Sequence, residues 1–199
     1  MHRTARLFVV SGPSGVGKGT LVALLREKRP SLGLTVSATT REPRAGEVEG
    51  VSYYYLTEEE FTAKVEAGEF LEWAHVHGHR YGTLKSEVER HLSQGHSLVL
   101  EIDVQGGLNV RSVFPDVVLI FIAPPSTEEL VRRLKGRGTE DDETIALRVA
   151  NAKREMELMD DYDATIVNDD LDEALAQLDA LFESYEMDGG SSHHECDEA

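Results

Sequence analysis

Gly12-Pro13-Ser14-Gly15-Val16-Gly17-Lys18-Gly19-Thr20 is the stretch from which the rest of the chain can be read. It follows the apolar run Leu7-Phe8-Val9-Val10 and precedes the helical pattern Leu21-Val22-Ala23-Leu24-Leu25. Strand, glycine loop and helix, in that order, form the context that a phosphate-binding loop requires. The glycines let successive backbone N–H groups point inward, and the helix N-terminus adds the positive end of its dipole. Lys18 supplies a mobile positive charge for the outer phosphates of a nucleotide. One position departs from the usual pattern. The Ser or Thr expected directly after the lysine is Gly19, and the hydroxyl comes one residue later at Thr20. The expectation is therefore that Mg²⁺ is held by phosphate oxygens and water, with Thr20 and Asp103 as the candidate protein groups.

Outward from the loop, the chain reads as an α/β protein. Residues 6–11 predict a buried parallel strand and 17–28 a helix closed by Pro30 and Gly33, with a short extended piece at 34–37. Residues 37–84 differ, with more polar and aromatic groups than a core needs. They predict a helix at 58–67 capped by Thr57 with Glu60, a strand at 70–74, and a polar, loop-like stretch from His75 to Thr83. The pattern then resumes with helices at 85–93, 105–113, 127–135, 142–160 and 171–186. The strands among them fall at 97–103, 117–123 and 164–167. This predicts a doubly wound, mostly parallel sheet with ligands at the C-terminal ends of its strands. The domain is expected over 1–186, with a core at 5–36 and 85–186 and a small α+β insertion at 37–84. The polar tail, 187–199, is expected to be disordered.

Composition narrows the function. The 199 residues suit one domain with a substantial core. Lys plus Arg number 20 against 37 Asp plus Glu, a net charge of −17. Such an acidic chain argues against nucleic-acid or anionic-membrane partners. The longest apolar run, 117–123, is too short to span a membrane. One cysteine, Cys196, cannot form an internal disulfide, and a reducing, cytoplasmic setting is the simple expectation. No leader is visible before the first strand.

If the ligand is a polyphosphate, cations must be concentrated where it sits. Lys18 lies in the loop, Arg41 and Arg44 in the insertion, and Arg133, Arg137 and Arg148 around the glycine break Gly136-Arg137-Gly138. Arginine suits phosphate because its planar fork binds two oxygens and stays charged. Asp103 ends an apolar strand, a position where an acid serves a magnesium-bound water or caps the next turn. His75, His77 and His79 alternate but have no cysteine to complete a metal site, and they read as surface histidines.

Taken together, these motifs resemble the guanylate kinase family over nearly all of 6–186. The resemblance is carried by Gly12–Thr20, by Ser37-Ala38-Thr39-Thr40-Arg41-Glu42-Pro43-Arg44-Ala45-Gly46-Glu47, and by Gly50 through Tyr53. Phe70-Leu71-Glu72-Trp73-Ala74, Tyr81-Gly82-Thr83, Asp103-Val104-Gln105-Gly106, Ile122–Ser126, Gly136-Arg137-Gly138-Thr139 and Val167-Asn168-Asp169-Asp170-Leu171 complete it. It implies phosphoryl transfer from ATP to GMP with Mg²⁺, a GMP-binding region at 37–84 and a short lid at about 136–147. It further implies that Arg41, Arg44, Tyr53 and Tyr81 hold the GMP phosphate, and that Ser37, Glu72, Thr83 and Asp103 surround guanine. Lys18, Arg133, Arg137 and Arg148 would act on the transferring group. Asn168 and Asp169 would lie near adenine, and Gly12, Pro13, Ser14, Gly15, Val16, Gly17, Gly19 and Thr20 would complete the ATP loop with Lys18. Oligomeric state is not implied. Two alternatives stay open: a non-catalytic binding module of the same fold, and a kinase for another nucleoside monophosphate.

Overall fold

The central β-strand, β1 (Leu7–Ser11), is buried at every position, as its unbroken apolar run dictates. It pairs in parallel with β6 (Leu98–Glu101) on one side and β7 (Val118–Ala123) on the other, and β7 pairs with β8 (Ala164–Val167). The sheet order is thus β6-β1-β7-β8, all parallel. The computed structural model describes residues 3–76, 78–136 and 142–187. Period-2 alternation sends neighbouring side chains of β1 to opposite faces. Phe8 and Val10 pack with Leu21 and Leu25 of α1 (Lys18–Lys28) and with Leu178 and Phe182 of α7 (Leu171–Met187). Leu7 and Val9 pack with Val88 of α3 (Lys85–Ser93) and with Val104 and Val110 of α4 (Val104–Val113). Phe8 and Phe182 stack at 3.7 Å, and burying such a side chain contributes about 1.5–3 kcal/mol.

A second sheet, ordered β3-β2-β5-β4, rises from the insertion. Its strands are β2 (Ala38–Thr39), β3 (Tyr54–Tyr55), β4 (Phe70–Val76) and β5 (His79–Leu84), with α2 (Glu58–Glu66) packed against them. Ala38, Phe61 and Phe70 form its own small core. The predicted capping box at Thr57 and Glu60 starts α2, with both reciprocal hydrogen bonds present. The expectation of a loop at 75–83 is corrected here. His79–Leu84 is a strand, turned back on β4 at Gly78, whose φ of 84° needs a glycine. An antiparallel hairpin tolerates polar residues on its solvent side, so polarity hid the strand.

Three further boundaries differ. The extended piece at 34–37 is reduced to one bridge between Gly33 and Leu98 as the chain leaves the sheet. β6 stops at Glu101, because Asp103 turns to cap α4, its Oδ1 accepting from the Gly106 N–H at 2.8 Å. The helix from 142 ends at Met156 and is followed by a short 3₁₀ turn, Met159–Asp161. This helix, α6 (Asp142–Met156), packs on α5 (Thr127–Gly136) through Leu130, Leu134 and Ala152. Ser126 caps α5, accepting from the Glu129 N–H at 3.1 Å.

At the end of the sheet away from the glycine loop, a cavity of about 380 Å³ lies between the end of α1 and α7. Charges there pair with one another. Glu186, 7% exposed, accepts from Ser97 at 2.7 Å and from Arg29 at 2.9 Å, and Arg29 and Lys28 both reach Asp179. This cavity is a tie between the first and last helices, remote from the loop.

Candidate active site

The loop between β1 and α1 is shaped by close approach. Gly12 has φ of 140°, and a Cβ there would sit 2.2 Å from the Ile122 carbonyl oxygen of β7. A Cβ on Gly15 would meet Leu134 of α5 at 2.7 Å, and one on Gly17 would meet the Asn168 amide at 2.6 Å. The three glycines therefore let β7, α5 and the end of β8 close on the loop. Gly17, at φ 99°, begins α1 with no side-chain cap and no acid in the first turn. The orphan N–H groups of that turn are left for an anion. Lys18 Nζ donates to the carbonyls of Gly12 at 2.6 Å and Pro13 at 3.0 Å, arched back over the loop.

The distant arginines converge here as expected. Arg148 of α6 donates to Ser14 Oγ at 3.1 Å. Arg133 of α5 reaches the Val16 carbonyl at 3.5 Å while Glu129, one helical turn earlier, accepts from its Nε at 2.8 Å. Hydrogen bonds from Arg132 and Arg133 hold the Glu129 carboxyl down at about 2, so it stays ionised. Arg137 lies outside the described residues, as do the rest of 137–141 in the predicted lid and residues 188–199 of the tail. Asn168 is buried, and its amide donates to the Val16 carbonyl at 2.8 Å, bracing the loop from behind. Asp169 beside it is exposed, and so is Thr20.

Two acids next to the loop were not picked out from sequence. A Cβ on Gly19 would lie 3.4 Å from both carboxylate oxygens of Glu101, so Glu101 faces the start of α1. Its pairing with Val10 places it at the strand end beside the loop, a register that sequence alone does not supply. Glu155 of α6 is the second. Burial raises its pKa; the Lys18 charge opposes this and the Asp103 charge adds to it. Among the described residues no group of three or more His, Cys, Asp or Glu side chains forms a metal cage. Glu101, Thr20 and Asp103 are hard oxygen donors of the kind that suit a magnesium ion keeping its waters. A side-chain oxygen at position 19 would have to share the space that the Glu101 carboxylate faces.

The second sheet carries the other half. Glu72 and Thr83 are cross-strand partners on β4 and β5, and Thr83 Oγ1 donates to Glu72 Oε1 at 2.8 Å. Burial raises the Glu72 pKa, Thr83 works against that, and the Asp103 charge adds to it. Glu72 and Asp103 line one cavity of about 520 Å³ with Trp73, Gln105 and Asn109. Ser37 lies at the start of β2, where its carbonyl accepts from Tyr54 N–H at 2.9 Å. Farther along, the Arg41 guanidinium lies over the Tyr53 ring at 5.3 Å, and the Tyr53 ring meets that of Tyr81 edge-on at 5.9 Å. Arg44 is exposed, with its backbone N–H donating to Glu47 at 2.7 Å. Arg41, Tyr53 and Tyr81 thus form one cluster, and Glu72, Thr83 and Asp103 another.

A family model described as Guanylate kinase matches residues 4–185. A guanylate kinase of Synechococcus sp. (strain CC9902) is 50% identical over 179 residues, covering 90% of this chain and 96% of the relative. One from Fusobacterium nucleatum subsp. nucleatum is 48% identical over 178 residues, covering 89% and 96%. The crystal structure of guanylate kinase from Anaplasma phagocytophilum superposes with a TM-score of 0.69 at 33% identity, over 94% of this chain and 89% of that one. With the family model matched from residue 4 to residue 185 and half of the sequence shared with a curated relative over 90% of this chain, the chain belongs to the guanylate kinase family.

Proposed function

We propose that this protein transfers the γ-phosphoryl group of ATP to GMP, giving ADP and GDP. The observation that carries the choice of acceptor is the Glu72–Thr83 pair, whose Glu72 lines one cavity with Asp103. Guanine offers N1–H and an exocyclic amine as donors. An ionised carboxylate accepts from both. Adenine presents an unprotonated N1 there, which a carboxylate leaves unpaired. A buried mismatch of that kind discriminates by about 10⁴-fold. Ser37 supplies a hydroxyl for O6, and Thr83 does so by turning its one proton from Glu72 to the base. Arg41, Arg44, Tyr53 and Tyr81 supply donors to the acceptor phosphate.

The donor nucleotide occupies the loop. Backbone N–H groups of the loop 12–20, Pro13 having none, cradle its phosphates, and Lys18 moves from the Gly12 and Pro13 carbonyls onto the outer ones. Arg133, Arg148 and Arg137 neutralise charge on the transferring group. Its transition state is loose, so catalysis is mainly positioning and charge stabilisation, with no strong base needed. Mg²⁺ supplies charge neutralisation between the phosphates. Glu101, Thr20 and Asp103 would hold its waters. Asn168 and Asp169 border the adenine end. Residues 136–147 close over ATP and exclude water, a competing acceptor. The single cysteine and the absence of a membrane-spanning helix among the described residues fit action in the cytoplasm.

The test is a coupled assay of ADP release from ATP with GMP as acceptor. Turnover dependent on both nucleotides and on Mg²⁺ is the expected result. A folded protein that forms no ADP with GMP would overturn the proposal and favour a binding module.

A further inference from the structure

Glu47 gathers three donors from the loop around the acceptor phosphate. Its Oε1 accepts from Arg41 Nη2 at 2.8 Å. Its Oε2 accepts from the Arg44 backbone N–H and from the Tyr55 hydroxyl, each at 2.7 Å. Its own N–H donates to the Arg44 carbonyl at 3.0 Å, closing a turn. Arg41, led by its direct hydrogen bond, then Arg44 and Tyr55, bring the Glu47 carboxyl down to about 2. Burial, followed by the bond to Glu47, pushes the Tyr55 hydroxyl up to about 12. Both partners therefore keep these protonation states across the working pH range.

Arg41 is fixed on three sides. Glu47 takes one hydrogen bond from Nη2, the Glu42 carbonyl takes one from Nη1 at 2.7 Å, and Tyr53 covers a face of the guanidinium. The side chain is only 10% exposed. A guanidinium has five N–H donors, so this arrangement sets its plane and still leaves donors for a phosphate. Tyr55 also touches the ring of Tyr53, at 5.9 Å. One carboxylate thus links the arginine, the turn at 44–47 and the tyrosine cluster.

We propose that Glu47 is the positioning residue of the acceptor-phosphate site: it sets Arg41, the Arg44 turn and Tyr55 for the phosphate without touching it. This rests on the reading of the second sheet as the GMP site. Two effects of Glu47 oppose each other. Its charge repels an incoming phosphate, but between partly exposed groups that is worth about fivefold at most. Its bonds to charged and backbone donors are worth roughly 10- to 100-fold when one is lost and the donor is left facing another donor. Geometry therefore wins. In Glu47→Gln one oxygen becomes an NH₂ group, and either Arg41 or the Arg44–Tyr55 pair loses its acceptor.

The experiment is calorimetric titration of the full chain with GMP and with guanosine, which shares the base and lacks the phosphate. The KM for ATP is measured alongside. Glu47→Gln is expected to weaken GMP about 30-fold, while guanosine affinity and the ATP KM stay within about twofold. Tyr55→Phe removes one donor to the same carboxylate and weakens GMP about threefold, again sparing guanosine. It decides the matter should Glu47→Gln fail to fold. Tighter GMP binding in Glu47→Gln would show that repulsion dominates. Equal losses for GMP and guanosine would show general loop collapse, and unchanged GMP binding would show no role; each overturns the proposal. A wild-type protein that binds GMP no better than guanosine would instead overturn the underlying site assignment.

Discussion

The two phosphate-facing regions are built by different means. The proposed ATP loop is made of backbone: three glycines at positive φ, close-packed against β7, α5 and Asn168, with one lysine arched over it. The proposed acceptor site is made of side chains: Arg41, Glu47 and the tyrosines at 53, 55 and 81, on a small sheet with its own core. Each region tethers an arginine with a carboxylate held at about 2, Glu129 for Arg133 and Glu47 for Arg41. The first tether is a one-turn helical pair and needs nothing beyond the helix. The second needs a loop of particular shape. Backbone sites tolerate few changes and are locally specified, whereas side-chain sites can be retuned one residue at a time.

The contrast is sharpest at the glycines. Gly12→Ala drives a Cβ to 2.2 Å from a backbone oxygen in the middle of the sheet, where nothing can give way. A loss of more than about 4 kcal/mol is expected, read as failure of cooperative unfolding in denaturant titration. Lys18→Ala leaves the fold and the acceptor site intact and removes the loop's mobile charge. Its kcat is expected to fall about 10²–10³-fold with GMP binding unchanged, measured by steady-state kinetics and calorimetry. A parallel loss of GMP binding would mean that the two regions are not separately built.

Glu72 gives a smaller effect, and it is pH-dependent. In the proposed site guanine binding needs the Glu72 carboxylate, and burial raises its pKa above the ordinary carboxylate range. Acidification should therefore raise the KM for GMP before it disturbs ordinary surface carboxylates, with little change in the KM for ATP. Stability moves the other way. Ionising a carboxyl whose folded-state pKa is raised opposes folding, so this opposition grows as pH rises through that pKa and vanishes below the unfolded value. Glu72→Gln should thus raise Tm at neutral pH by about 2 °C while losing GMP. Of the two glycine substitutions the smaller effect is at Gly46, where φ is 90° but an added Cβ would touch nothing within 4 Å. Gly46→Ala should cost only about 1–2 kcal/mol, from backbone strain alone. Equal costs at Gly12 and Gly46 would break the distinction between a packed loop and an open one.

The same difference governs what was legible in the sequence. The glycine spacing, the apolar runs of β1 and β7 and the caps at Thr57 and Ser126 are local signals, and each was found where expected. The convergence of Arg133 and Arg148 on the loop was anticipated from the need to concentrate cations in an acidic chain. Strand β5 was missed because its residues are polar and main-chain pairing leaves no apolar period. Glu101 was missed because the strand was read two residues too far, to Asp103, which turns instead into the α4 cap. Glu47 and Tyr55 escaped because a carboxylate gathering donors from residues six, three and eight places away follows no period at all. Asn168, proposed to border adenine, has a second part that no local signal gave: its amide braces the loop at Val16.

Base choice is proposed to lie in the inserted sheet, at Glu72, and transfer at the loop. The most direct measurement is kcat/KM for GMP and AMP, with ATP as donor, in the wild-type protein and in Glu72→Gln. The wild type is expected to prefer GMP by about 10⁴-fold and the substitution to remove most of this preference, with Mg²⁺-ATP binding unchanged. Equal turnover of GMP and AMP by the wild-type protein, or a preference that survives Glu72→Gln, would contradict the proposal.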